Sequence, residues 1–253
     1  MSKPGEGPYT TRTPRVSAAL KLQRRKERDE TGLFLAEGPQ AVREALAAGV
    51  VRELFATPKR APDYPQATLV TEDAMARLAE TVAPQGVVAV CEQFDAPLER
   101  AVHARLVAVL VDIRDPGNAG TILRTADAAG ADAVIFAGDT VDPYNGKAVR
   151  ASAGSLFHVD IVRERDVDAV LHALRQQILA TSGRGGHDLF ELEPRLARPT
   201  AWLFGSEAHG LPEELLKRVE GVRVPIFGAA ESLNLAAAAA VCLYASARAQ
   251  RHP

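Results

Sequence analysis

Cysteine is nearly absent. The two present, Cys91 and Cys242, fit neither a CxxC metal pair nor a disulfide framework, and reduced thiols in a cytosolic protein are the expectation. The six histidines show no H-x₃₋₅-H spacing, so no metal site is expected. There is no long apolar run either. The most apolar stretch, Leu233 to Ala247, is mostly alanine, contains Asn234 and falls short of the roughly 20 residues a membrane span requires. The amino-terminal MSKPGEGPYTTRTPR has no apolar centre and does not read as a secretory signal. A cytoplasmic protein without a membrane partner follows. Charge of one sign is lacking too: the net charge is −2, so a nucleic-acid partner has to be met by local basic patches. Nucleotide and hydrolase signatures are missing, with no G-x-G-x-x-G, no G-x-x-x-x-G-K-[ST] and no G-x-S-x-G.

What remains is a chain of 253 residues, 47% apolar and 25% charged, ordinary for one large or two modest globular domains. Residues 1–13, rich in Gly, Pro, Thr and charge, read as a disordered tail. A small α/β unit spans residues 14–94. It has a basic helix from Val16 to Arg28, strands Leu33–Ala36, Val51–Ala56 and Gly86–Cys91, and helices Pro39–Ala48 and Glu72–Glu80. Residues 95–105 read as a linker. From 106 to 253 short apolar runs alternate with helices. The runs are Leu106–Ile113, Ala133–Phe136, Gln177–Thr181, Ala201–Phe204 and Val222–Pro225, and one helix, Ala119–Ala129, closes at Gly130. Strands apolar on both faces imply a parallel sheet covered by helices on both sides.

In such sheets ligands collect at the carboxyl ends of the strands, and three polar, glycine-bearing segments fall there. Asp112 to Gly120 makes a turn into a helix, with Asn118 as the expected N-cap and Arg124 almost two turns on, close to the same face. Leu203 to Pro212 brackets Glu207 between Gly205 and Gly210, which lets backbone approach a ligand closely; His209 reads as a turn residue. Val224 to Asn234 leads into an alanine-rich helix. Each alone is a weak signal, and the first by itself reads sooner as a capped helix with one solvated arginine than as a catalytic segment.

Together and in this order they resemble the SpoU (TrmH) family of RNA 2′-O-ribose methyltransferases, within the SPOUT superfamily, over roughly Leu106 to Gln250. Asn118, Gly120 and Arg124 match its N-x-G-x-x-x-R. Gly205, Glu207 and Gly210 match G-x-E-x-x-G. Pro225, Gly228, Ser232, Leu233 and Asn234 match a Pro and a Gly before S-L-N. Asp142 to Gly154, with Arg150, is similar to a segment of the ribosomal-RNA members, and the amino-terminal unit to their small L30e-like RNA-binding domain. Alanines replace the small polar residues common after S-L-N, which touches helix packing more than chemistry.

The resemblance implies an α/β fold of an L30e-like domain followed by a SPOUT domain, a parallel sheet with a carboxyl-terminal trefoil knot. It implies S-adenosylmethionine as cofactor, held by backbone around Phe204, Gly205, Val224, Ile226 and Leu233. It implies a homodimer, with Arg124 of one subunit facing the cofactor of the other, and a ribose 2′-hydroxyl of structured RNA, foremost 23S ribosomal RNA, as acceptor. Asn118, Arg124, Glu207, Ser232 and Asn234 become the catalytic set. A guanidinium stays protonated up to a pKa above about 12, so Arg124 is expected to clamp the RNA rather than deprotonate it, while Glu207 pairs with an arginine or orders the loops. Lys21, Arg24, Arg25 and Arg28, at i, i+3, i+4 and i+7, would form one helical stripe along an RNA backbone, or simply a solvated face. Arg184 and His187, in the Gly-rich loop Ser182 to Asp188, read as a surface connection or an RNA contact. A non-catalytic ribosome-assembly factor and a transfer-RNA methyltransferase are the alternatives.

Overall fold

The structure, a computed structural model, describes residues 7–251. The chain falls into two compact units, one ending at Phe94 but taking in Tyr144–Phe157, the other made of Asp95–Pro143 and the chain from His158 onward.

The first unit corrects the reading of its amino-terminal end. Met1 to Glu6 lie outside the described residues, but Tyr9 is bonded in place: its N–H donates to the Leu69 carbonyl at 2.8 Å and its carbonyl accepts from Thr71 N at 2.9 Å. Its ring packs on the unit's core, which is why order begins before residue 14. The single basic helix is two, α1 (Pro14–Lys21) and α2 (Arg25–Thr31). Arg24 is extended, with φ −94° and ψ 133°, so the four basic residues share no helical stripe. Arg28 is 2% exposed, and its Nη1 donates to the carbonyls of Leu22 at 2.9 Å and Gln23 at 3.0 Å. Those carbonyls lose helical partners where α1 stops. Arg28 is therefore a structural cap, not an RNA ligand.

β1 (Leu33–Glu37), α3 (Pro39–Ala47), β2 (Val51–Ala56), β3 (Thr68–Leu69), α4 (Glu72–Leu78) and β4 (Val87–Glu92) follow. The sheet order is β1-β4-β2-β3, antiparallel except for the β2–β3 pair. Thr71 caps α4 by accepting from Ala74 N at 3.2 Å. Val16, Phe55, Met75, Leu78 and Val88 fill the core beneath.

The second unit opens with β5 (Leu106–Val111), buried at every position, then α5 (Pro116–Ala129) and β6 (Ala133–Ala137). The chain then contributes Tyr144–Phe157, including α6 (Gly146–Ala151), to the first unit. There Tyr144, Phe34, Phe94 and Phe157 form an aromatic cluster with centroids 4.8–6.3 Å apart. Arg150, expected at the RNA, pairs with the Glu37 carboxylate at 3.2 Å and lies 3.9 Å from that of Glu80, with its side chain still 30% exposed.

Back in the second unit come β7 (Asp160–Glu164), α7 (Val167–Ala173), β8 (Gln177–Thr181), β9 (His187–Asp188), α8 (Glu193–Leu196), β10 (Thr200–Phe204), α9 (Glu213–Leu216), β11 (Glu220–Arg223) and α10 (Leu235–Arg251). All seven strands are parallel, in the order β7-β6-β5-β10-β8-β11-β9. The order matters for the site: β5, β10, β8 and β11 are neighbours, in register at Leu110–Phe204, Ala180–Leu203 and Thr181–Val222. Their four carboxyl ends therefore open side by side. Alanines on α10 let it lie close to α5 and β10, and Trp202 Nε1, fully buried, donates to Ser246 Oγ at 2.8 Å. Among the described residues no helix is long and apolar enough to cross a membrane.

Candidate active site

α5 is capped by Asp115, not by Asn118: the Asp115 carboxylate accepts from Asn118 N at 2.9 Å. With Pro116 at the first helical position, where no N–H is needed, the cap moves three residues earlier. That frees the Asn118 amide for other work. Its Nδ2 donates to Glu207 Oε1 at 2.7 Å, and its Oδ1 accepts from Asn234 Nδ2 at 3.1 Å. Asn234 Oδ1 in turn accepts from the N–H groups of Ala236 at 2.9 Å and Ala237 at 3.2 Å, the start of α10. The donor pattern is self-consistent: an acceptor-only carboxylate fixes which way the first amide faces, and that amide fixes the second. One residue from each of the three motif segments is thus joined in a single chain of hydrogen bonds. Glu207 is held by an asparagine rather than by an arginine.

Beside this chain lies a cavity of about 410 Å³, lined by Thr181, Ser182 and Gly183 after β8, Gly205, Ser206 and Glu207 after β10, Val224 and Ile226 after β11, and Ser232, Leu233 and Asn234 before α10. Gly205 is there for steric reasons. A Cβ on it would run into the Gly210–Leu211 peptide, because Ser206 and Gly210 exchange backbone hydrogen bonds of 3.1 and 2.8 Å. The hairpin closes through Gly210 at φ +66°, a conformation glycine adopts without steric cost.

Of the expected cofactor residues, Gly205, Val224, Ile226 and Leu233 line this cavity, while Phe204 is buried in β10 and supplies the strand end. Glu207, Ser232 and Asn234 line it as well, and Asn118 joins through its hydrogen bonds. Arg124 does not. It is exposed on α5, and its guanidinium forms no ion pair or hydrogen bond among the described residues. Six residues of α-helix are about 600° of rotation, which leaves Arg124 about 120° round from Asn118 rather than on its face. Lys21, Arg24 and Arg25 are exposed in the first unit, Arg25 lying 3.6 Å from Asp29. Sequence reading passed over Thr181, Ser182 and Gly183 as ligand contacts. A strand end running into a Gly-rich loop was the visible signal, but only the sheet order places β8 between β10 and β11. Both thiols are buried, and burial pushes Cys91 up to about 12 and Cys242 higher still, so neither is poised as a nucleophile.

A parallel sheet whose adjoining strand ends share one cavity, closed by polar loops, is the architecture of a ligand-dependent α/β enzyme. Residues 105–244 match the model of the SpoU rRNA Methylase family, and residues 13–89 that of the MRM3-like substrate binding domain. The chain belongs to the SpoU rRNA methylase family. It is 36% identical over 245 residues, 93% of this chain and 96% of the relative, to the 23S rRNA (guanosine(2553)-2′-O)-methyltransferase RlmP of Bacillus subtilis. The AdoMet-bound rRNA methyltransferase of Sinorhizobium meliloti superposes with a TM-score of 0.83 at 35% identity, covering 95% of each chain. The SpoU methyltransferase AviRb of Streptomyces viridochromogenes, in complex with AdoMet, gives 0.81 at 30% identity over 95% of this chain and 100% of that one.

The cofactor is S-adenosylmethionine, and the cavity fits it. Its volume lies in the range of small-molecule sites, about 300–1,000 Å³. Val224, Ile226 and Leu233 give the cavity apolar wall, and Gly205 and Gly210 line it without side chains.

Proposed function

We propose that this chain methylates a ribose 2′-hydroxyl of 23S ribosomal RNA, working as a homodimer in the cytoplasm. The observation that carries the reading is the hydrogen-bonded chain Glu207–Asn118–Asn234 at the edge of the cavity. It locks three loops from distant parts of the sequence into one receptor, so a donor and an acceptor can be held in line. Alignment of that kind is worth about 7–11 kcal/mol in favourable cases.

S-adenosylmethionine, when bound, supplies a methyl group on a sulfonium, an electrophile that needs no metal. Everything else falls to the chain's own side chains. Gly205, Val224, Ile226 and Leu233 hold the cofactor, and Phe204 ends the strand beneath it. Glu207, Asn118 and Asn234 keep the loops in register, and Ser232 offers a hydroxyl to the acceptor oxygen. Arg124 clamps the RNA so that the hydroxyl faces the donor. Its exposed position away from its own cavity supports a role at the partner subunit's cavity. The exposed Lys21, Arg24 and Arg25 of the substrate-binding unit meet the RNA backbone. Threading of the carboxyl-terminal segment into a knot is supported by membership of the SpoU family.

Mixed dimers test the shared site. Arg124→Ala subunits, with intact cavities, are co-assembled with Gly205→Val subunits, whose added side chain displaces the Gly210–Leu211 peptide of the cavity's hairpin. Activity regained on mixing is the result expected of an arginine acting across the dimer. Mixed dimers as inactive as either parent would place Arg124 at its own cavity and overturn that part of the reading. For the substrate, primer extension at low nucleotide concentration on ribosomal RNA from cells with and without the gene is expected to show a gene-dependent stop in 23S RNA. Identical stop patterns would contradict it.

A further inference from the structure

Phe227 is 89% exposed, although a phenyl ring in water forfeits the free energy its burial would provide. It stands one peptide, about 3.8 Å of Cα trace, beyond Ile226 of the cavity wall. Arg184 stands in the same relation to Gly183, another wall residue; its guanidinium is exposed and makes no bond among the described residues. The two loops are neighbours because β8 and β11 are paired, and Ser182 N donates to the Val222 carbonyl at 2.9 Å. Neither loop is loose at its base. A Cβ on Gly185 would sit 2.6 Å from the Val222 carbonyl carbon, so backbone packs on backbone immediately after Arg184. The charged residues that line the cavity, Glu207 and Glu231, are both acidic. An RNA strand bringing its ribose to this mouth meets repulsion unless a cation stands at the rim.

We infer that Phe227 and Arg184 form the subsite for the target nucleotide, the phenyl ring stacking on its base and the guanidinium pairing with its phosphate. The inference rests on the reading above, that an RNA ribose is the acceptor. Stacking needs only a π-face and so tolerates any base, whereas the phosphate contact fixes where the sugar lies. Phe227 and Arg184 are positioning residues for the acceptor, not part of the cofactor's seat.

Unmodified 23S RNA, transcribed in vitro, is the probe, and Kd is measured over a series of salt concentrations without cofactor. Phe227→Ala is expected to weaken binding roughly 5- to 150-fold with an unchanged salt slope; Phe227→Trp restores binding and Phe227→Leu does not. Arg184→Gln is expected to flatten the slope of log Kd against log salt by about 1. In all four variants S-adenosylmethionine affinity by calorimetry and sedimentation stay as in the parent. Rescue by leucine, or a shift in sedimentation, would show that the ring buries against protein and would overturn the inference, as would variants that bind RNA like the parent. A parent that neither binds the transcript nor methylates it would instead remove the reading on which the inference stands.

Discussion

Asn118 donates its side-chain amide to Glu207 at 2.7 Å across 89 positions of sequence. Neither residue is remarkable in its own segment, since an asparagine in the first turn of a helix and a glutamate in a tight turn are both common. The relationship between them joins two loops at the cavity, and Asn234 extends it to a third.

Replacing Asn118 therefore tests more than one bond. Asn118→Ala removes a hydrogen bond to a carboxylate, worth about 1.5–3 kcal/mol, and leaves Asn234 without its acceptor. A fall of roughly 10- to 150-fold in kcat/KM is expected. Asn118→Asp, nearly the same shape, sets a second carboxylate against Glu207 and is expected to be at least as damaging. An aspartate variant clearly more active than the alanine one in steady-state kinetics would contradict the donor role.

Arg124→Lys keeps the charge but loses the planar, bidentate fork. Methyl transfer is expected to drop at least about tenfold, equivalent to ~1.4 kcal/mol, with S-adenosylmethionine binding unchanged, because the proposed clamp holds the RNA and not the cofactor. Near-parental turnover by the lysine variant would remove the clamp.

Adjacent glycines should behave oppositely. A Cβ at Gly185 meets the Val222 backbone at 2.6 Å, while one at Gly186 meets nothing within 4 Å. Gly185→Ala is expected to cost about 1–3 kcal/mol through overpacking, seen as a Tm lower by several degrees, and Gly186→Ala to leave Tm unchanged. Equal melting temperatures for the two variants would show that the passage is not tight.

The Arg195 guanidinium binds both oxygens of Glu220 at 2.6 Å, and this bond, helped by the neighbouring charges of Arg195 and His187, holds the Glu220 carboxyl below its usual range. A carboxyl depressed in the folded state contributes stability that is complete above the unfolded value near about 4.3 and is lost as pH falls through the lower folded value. Glu220→Gln is therefore expected to lower Tm at neutral pH, with the difference from the parent closing in acid. A gap that persists to the lowest pH would assign the effect to something other than ionisation.

Much of this was legible along the chain. The apolar runs that became β5, β6, β8, β10 and β11 carry their burial in their composition, and the three motif segments are local in sequence. Some misses were local, as with the Asp115 cap and the carbonyls that Arg28 bonds, but the others share a cause, which is partnership at a distance. β7 has only Ile161 and Val162 between charged residues, and its pairing with β6, not its composition, makes it a strand. The basic run from Lys21 to Arg28 has helical spacing, but the chain turns at Leu22–Arg24 and buries Arg28 under the carbonyls it caps. Arg150 reads as a free cation until Glu37, 113 positions away, is found beside it. The contribution of Thr181 to Gly183 depends on a strand order that no local pattern encodes.

The central claim is that the cavity delivers a methyl group to a ribose oxygen. The protein is incubated with methyl-labelled S-adenosylmethionine and unmodified 23S RNA, and the RNA is digested to nucleosides and separated. Label in a single 2′-O-methylnucleoside, slowed roughly 10- to 150-fold in Asn118→Ala and abolished in Gly205→Val, is the expected result. Label on a base, or no transfer from a protein that binds both ligands, would contradict the account.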